Sequence, residues 1–160
     1  LKSEPEILYF GGLYQNAGLL LKALRLKNKD LIFISGDGLA TDQFATHAGG
    51  AKEVDGVYMS FGRDPRTLKS ANSVVEKLRA ANIEPDGYTL YAYAGIEAIT
   101  QALKSKKTMD GLSVAHWLKS NTVATVIGPL AWNQKGDLKQ SDYYVIHRFN
   151  AKGHYEELQP

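Results

Sequence analysis

The sequence predicts an α/β fold built on doubly wound parallel sheets, and it predicts that the sheets are incomplete within these 160 residues. Through the first third, short apolar runs ending in glycine alternate with helical periodicity, the pattern of parallel strands joined by right-handed crossovers. The middle third reads as helices and a β-ribbon, with too few strands for a sheet of its own. That deficit implies a partner segment outside the middle third.

Ile7-Leu8-Tyr9-Phe10 is a buried strand running into the tight loop Gly11-Gly12. Ala17, Leu20, Leu21 and Leu24 recur at helical spacing, and Lys27-Asn28-Lys29 closes that helix. Leu31-Ile32-Phe33-Ile34 is a second buried strand, ending in Gly36-Asp37-Gly38. Thr41 is the expected N-cap of a short helix to Ala48, and Val57-Tyr58-Met59 the third strand. The polar Arg63-Asp64-Pro65-Arg66 then connects to an amphipathic helix marked by Ala71, Val74, Val75 and Leu78. Tyr88 to Leu103 is apolar nearly all round, as a buried helix is. Asp110 to Ser120 is a further helix with Leu112, Ala115 and Leu118 as its inner stripe. Val126 to Trp132 and Tyr143 to Phe149 read as strands with Asn133-Gln134-Lys135-Gly136 turning between them, and Asn150-Ala151-Lys152-Gly153 is a second turn. Leu1 to Glu4 reads as a helix end, so the start is expected to be a processing, truncation or expression boundary.

Composition narrows the function classes. With 19 Lys and Arg against 17 Asp and Glu, the net charge is +2, and the nearest basic run, Lys104 to Lys107, is a helix end; no nucleic-acid partner is expected. The absence of cysteine excludes disulfides and thiolate chemistry. His47, His116, His147 and His154 lack ligand spacing, so no metal is expected, and no cofactor motif stands out. Neither G-x-S-x-G nor S-x-x-K occurs, which argues against an acyl-transfer enzyme.

The informative constellation lies at the strand ends. In open parallel sheets ligands bind beyond the carboxyl ends of the strands. Gly11-Gly12 and Gly36-Asp37-Gly38 follow neighbouring strands, so they should share one edge. Their glycines admit close approach, and Asp37 offers a carboxylate for an ammonium group. A plain Gly-Asp-Gly turn accounts for the same residues. Tyr88, beside Gly87 at a helix start, can face a cleft, whereas Tyr91 and Tyr93 read as packing residues.

Taken in order, Ile7 to Gly12, Ala17-Gly18, Ser35 to Gly38, Asp55 to Tyr58, Asp86-Gly87-Tyr88 with Tyr91 to Ala94, Val126 to Leu130 and Trp132 to Lys139 resemble the Leu/Ile/Val-binding family of type I periplasmic solute-binding proteins. The resemblance runs along essentially the whole chain and implies the C-terminal half of a Venus-flytrap protein. It implies residues 1–61 in the second lobe, 62–142 in the first and 143–160 back in the second. It also implies a periplasmic protein made with a signal peptide, or an extracellular membrane-anchored one in a Gram-positive source. Such a protein captures an amino acid, branched-chain or otherwise aliphatic, for the membrane permease of an ABC importer, and it is not an enzyme. The ammonium-receiving acid falls on Asp37, where some members carry Glu, and the side-chain pocket aromatic on Tyr88. The loop positions Gly12, Leu13, Tyr14, Gly36 and Gly38 complete the implied ligand-binding set. Where a tyrosine often follows the Gly-Gly pair, Leu13 stands here and Tyr14 comes one later. The missing N-terminal half, or a second copy of the chain, is an expected partner. Alternatives are an amide, urea or aromatic-acid binder of the same fold, a sensory module, or a doubly wound enzyme domain using Asp37 as acid or base.

Overall fold

The structure, a computed structural model, describes residues 5–139 and 144–158. The expected helix end before Pro5 and the strand start expected at Tyr143 lie outside the described residues. The chain divides into two compact units, Leu1–Arg63 with Tyr143–Pro160, and Asp64–Asp142.

In the first unit, β1 (Ile7–Phe10), β2 (Ile32–Ser35) and β3 (Tyr58–Gly62) are parallel, and β6 (Tyr144–Phe149) and β7 (Tyr155–Glu157) extend the sheet antiparallel beyond β3. Their continuous apolar runs suit parallel strands. The crossovers are α1 (Tyr14–Arg25), then α2 (Gln43–Ala48) with α3 (Ala51–Val54). One sheet face is sealed: Phe33, Ser35, Met59, Phe61, His147 and Phe149 are buried, and Phe44 of α2 meets the Phe149 ring edge-on at 5.1 Å. Gly18 sets how closely α1 and α2 pack, since a Cβ there would lie 2.6 Å from the His47 Cβ. His147 joins β6 to β3, its Nε2 donating to the Gly62 carbonyl at 2.9 Å. That bond fixes the Nε2–H tautomer and leaves Nδ1 buried without a partner among the described residues.

The expectation of Thr41 as N-cap is corrected: α2 begins at Gln43 with Asp42 in the N-cap position, and the Thr41 hydroxyl accepts from the Gln43 amide in a turn ahead of the helix. Gly49, at φ +98°, ends α2 in the left-handed conformation that glycine adopts without steric cost.

The second unit contains α4 (Asn72–Ala80), α5 (Thr89–Lys106), α6 (Gly111–Ser120) and a separate hairpin of β4 (Val123–Thr125) and β5 (Gly128–Leu130). Here the sequence expectation of one strand from Val126 to Trp132 is corrected. The chain reverses at Val126-Ile127, and Gly128 at φ +94° carries the reversal, so two three-residue strands pair with each other. The Asn133–Gly136 turn is present, but it closes a small Trp132–Leu138 bridge and does not join the hairpin to β6. Helix α5 holds the hairpin through side chains: Glu97 accepts from the Val126 amide at 2.7 Å and Gln101 donates to the Ala124 carbonyl at 2.8 Å. Only its Leu90, Ala94, Ala98 and Ala102 stripe is buried; Ile96 and Ile99 are exposed, so the all-round burial expected from composition is not met within this unit. Helix α6 is capped by Asp110, which accepts from the Ser113 amide at 2.8 Å. Its Leu112 and Ala115 are exposed, and Val114, Trp117 and Leu118 form the half-buried stripe instead.

An ion-pair network fastens the entry to this unit. Arg66 pairs with Asp64 at 2.7 Å and Glu84 at 3.0 Å, and Arg79 pairs with Glu84 at 2.8 Å. The hydrogen bond from Arg79, helped by that from Arg66 and opposed by partial burial, holds the Glu84 carboxyl down at about 2 against an ordinary 4.5. A depressed folded pKa stabilises above the unfolded value, and the contribution disappears as pH falls through the folded one. Denaturation of wild type and Glu84→Gln should therefore differ most above pH 4.5 and converge as pH falls towards 2. The difference will be modest because Glu84 is part-exposed and solvent screens the pair. A gap that stays constant across this range would exclude the linkage.

Candidate functional site

Register decides which loops meet. Phe10 pairs with Ser35 at the ends of β1 and β2, so Gly11-Gly12 and Gly36-Asp37-Gly38 leave side by side at the carboxyl edge. The Ser35 hydroxyl donates to the Phe10 carbonyl at 2.6 Å and pins the two strand ends together. Beyond it the loops touch through backbone: a Cβ on Gly38 would lie 2.2 Å from the Gly12 carbonyl oxygen. A Cβ on Gly12 would lie 2.7 Å from the Phe10 ring. Both glycines are required by packing, since neither has a positive φ. Asp37–Leu39 forms one 3-10 turn in which Leu39 is buried and Asp37 exposed, and the Ala40 amide donates to the Asp37 carbonyl. The buried leucine thus anchors a turn whose carboxylate residue sits at the surface of the edge.

The sequence-predicted residues of the first unit therefore gather at one edge. Leu13 occupies the N-cap position of α1 and is exposed there, with no side-chain cap. Tyr14 turns to the helices: its hydroxyl donates to Gln43 Oε1 at 3.1 Å, and its ring meets His47 edge-on at 5.4 Å. Tyr88 belongs to the second unit, exposed at the N-cap position of α5, after Gly87 at φ +50°. One residue at the edge escaped the sequence reading. Tyr9 is exposed on the sheet face away from the helices, and its hydroxyl lies 3.7 Å from where a Gly36 Cβ would stand. Alternation was the available signal, because Tyr9 and Gly11 lie on the same side of the strand.

A cavity of about 440 Å³ opens at the opposite, amino edge of the sheet, lined by Arg25, Asp30, Lys52 and Asp55 among others. Arg25 is engaged there by the carbonyls of Lys29, Leu31 and Asp55, which makes it a tie between loops. Among the described residues no group of three or more His, Cys, Asp or Glu can hold a metal ion, and no helix is long and apolar enough to cross a membrane.

Comparison with known proteins gives the ordered edge a context. An amino acid binding protein of Pseudomonas aeruginosa is 46% identical over 156 residues, 98% of this chain and 41% of that protein. The Leu/Ile/Val-binding protein homolog 1 of Brucella suis is 36% identical over 157 residues, 96% of this chain and 42% of its own length. The chain is a homologue of the Leu/Ile/Val-binding proteins. It spans about two fifths of the length of these curated relatives. No protein-family model matches it. Its fold is that of the type I periplasmic binding proteins, in part: the leucine-binding protein LivK of Thermotoga maritima superposes with a TM-score of 0.81 at 18% identity, over 97% of this chain and 44% of that one. LivJ of Streptococcus pneumoniae, solved in complex with isoleucine, gives 0.79 at 20% identity, over 100% of this chain and 47% of that one.

The Gly12–Gly38 contact yields a stability test. Gly38→Ala must displace backbone, because the clashing atom is a carbonyl oxygen, and should destabilise the first unit by about 1–3 kcal/mol. Gly36→Ala meets only ordinary contact with Tyr9 and serves as the control. Urea denaturation of both variants decides it; equal midpoints would mean the loops do not touch.

Proposed function

We propose that this chain is the ammonium-holding part of an extracytoplasmic solute-binding protein that captures an amino acid, branched-chain or otherwise aliphatic, between two lobes. Residues 1–61 and 143–160 form part of one lobe and 62–142 part of the other. The captured amino acid is delivered to the membrane permease of an ABC importer, in the periplasm or at the outer face of an anchoring membrane. The carrying observation is the backbone contact between Gly12 and Gly38, which supports a turn presenting Asp37 at the carboxyl edge of a parallel sheet.

The chemistry is recognition without bond changes. An α-ammonium donates charge-assisted hydrogen bonds to a carboxylate, and a turn anchored by the buried Leu39 fixes the backbone that carries it. Gly12, Gly36 and Gly38 let the ligand approach the backbone, and Leu13 gives the edge an apolar neighbour. Tyr14 acts behind them, fixing α1 against α2. Tyr88 supplies an aromatic surface for the variable part of the ligand. The names of the relatives, amino acid binding and Leu/Ile/Val-binding, support this reading over an enzyme that would use Asp37 as acid or base.

Two substitutions in the complete protein test it. Asp37→Asn leaves a buried ammonium without its counter-charge and should weaken leucine binding by roughly 2–5 kcal/mol in calorimetry; an affinity within a few-fold of wild type returns Gly-Asp-Gly to a plain turn. Tyr88→Ala should reorder preference among leucine, isoleucine, valine and phenylalanine. Uniform weakening, or no change, would make Tyr88 a packing residue.

A further inference from the structure

Two glycines at the carboxyl edge are explained neither by conformation nor by packing. Gly11 and Gly36 have no positive φ, so their backbone does not call for glycine. Among the described residues, a Cβ on either would meet one neighbour, and at ordinary contact distance. Tyr9 Cε1 would lie 3.9 Å from a Cβ on Gly11, and Tyr9 Oη 3.7 Å from a Cβ on Gly36. Gly12 and Gly38 differ, since a Cβ there would lie 2.7 Å from the Phe10 ring and 2.2 Å from the Gly12 carbonyl oxygen. What Gly11 and Gly36 both keep clear is one surface, the flank of the Tyr9 ring from its edge to its hydroxyl.

The other polar groups of this edge are engaged or absent. The Ser35 hydroxyl donates to the Phe10 carbonyl, the Tyr14 hydroxyl donates to Gln43, and Leu13 has no polar side-chain atom. The Tyr9 hydroxyl makes no hydrogen bond among the described residues, and it lies beside Gly36, the residue before Asp37. An ammonium group carries three hydrogens that point apart, and one carboxylate approaches it from one side. A hydroxyl oxygen next to that carboxylate can accept another of the three. We propose that Tyr9 is a further ligand-binding residue of this edge, its hydroxyl oxygen accepting one hydrogen of the ammonium group that Asp37 receives. Gly11 and Gly36 leave room for the ligand to lie along its ring. The assignment rests on the ammonium reading of Asp37.

In the complete protein, Tyr9→Phe removes only the hydroxyl, and Gly36→Ala fills the space beside it with one methyl group. Tyr9→Phe should weaken leucine binding in calorimetry by roughly tenfold, the share of one hydrogen bond to a charged group, with the urea midpoint at the wild-type value. Gly36→Ala should weaken binding as well, again without moving the midpoint. Added to Asp37→Asn, Tyr9→Phe should cost less than it costs alone, because both residues hold the same ammonium. Wild-type affinity in either single variant, with Asp37→Asn weakened, overturns the assignment and leaves the reading of Asp37 standing. Full additivity overturns it by placing the hydroxyl on another part of the ligand, and a lowered midpoint for Tyr9→Phe overturns it by giving the hydroxyl to the fold. Wild-type affinity in Asp37→Asn removes the ammonium site itself, and the role of Tyr9 falls with it.

Discussion

A right-twisted parallel sheet accepts crossovers of one hand, and in this chain that rule determines almost everything else. Because β1, β2 and β3 advance in one direction, α1, α2 and α3 are forced onto one face and bury it around Phe33, Phe44, Met59 and Phe149. Because the three strands are parallel, the strand-to-helix loops leave at one edge, so Gly11-Gly12 and Gly36-Asp37-Gly38 become neighbours although about 25 residues separate them. The crossover hand leaves the opposite face without cover among the described residues. Parallel direction sets the loop edge, and handedness sets the covered face.

The edge is held by close approaches that side chains would prevent. Gly18 lets α1 lie against His47 and its backbone, and Gly38 lets its turn lie against the Gly12 carbonyl. These contacts fix the position of the Asp37 turn through main chain, which has fewer rotational freedoms than a surface side chain. Ser35 adds a bond at the strand ends that survives burial because its hydroxyl has a carbonyl to meet. The edge is accordingly built from small residues, with Asp37 exposed on its turn.

Much of this was legible in the sequence, and the misses have physical reasons. The runs Ile7–Phe10 and Leu31–Ile34 were readable as strands because both are apolar and glycine follows them directly or one residue later. Gly-Asp-Gly was readable as an edge loop because it follows such a run. The hairpin was not, since Val126, Ile127 and Leu130 are strand formers that mask the Gly128-Pro129 turn signal, and Gly128 takes up the reversal at φ +94°. Helix α5 was read as buried because its composition is apolar, whereas burial requires a neighbour, and Ile96 and Ile99 have no covering element among the described residues of their unit. Tyr14 and Leu13 differ by one position, which on a helix is a rotation of about 100°. That rotation sends Tyr14 to Gln43 and leaves Leu13 at the edge, a distinction periodicity cannot draw at a helix start.

If Asp37 receives an ammonium as proposed, its exposure bears on where binding strength comes from. Opposite charges about 4 Å apart attract by only about 1 kcal/mol in water, and by about four times that at the effective dielectric of a protein surface region. An exposed carboxylate in a fixed turn is therefore a specific handle with little affinity of its own. On the proposed reading the gain requires water to be excluded around the pair, and among the described residues the first unit offers a glycine-rich edge for that purpose. Glycine main chain admits close approach of a ligand but covers little of it. A carboxylate presented in this way selects for an ammonium without holding it tightly, so the strength of binding has to be supplied by groups other than the Asp37 turn.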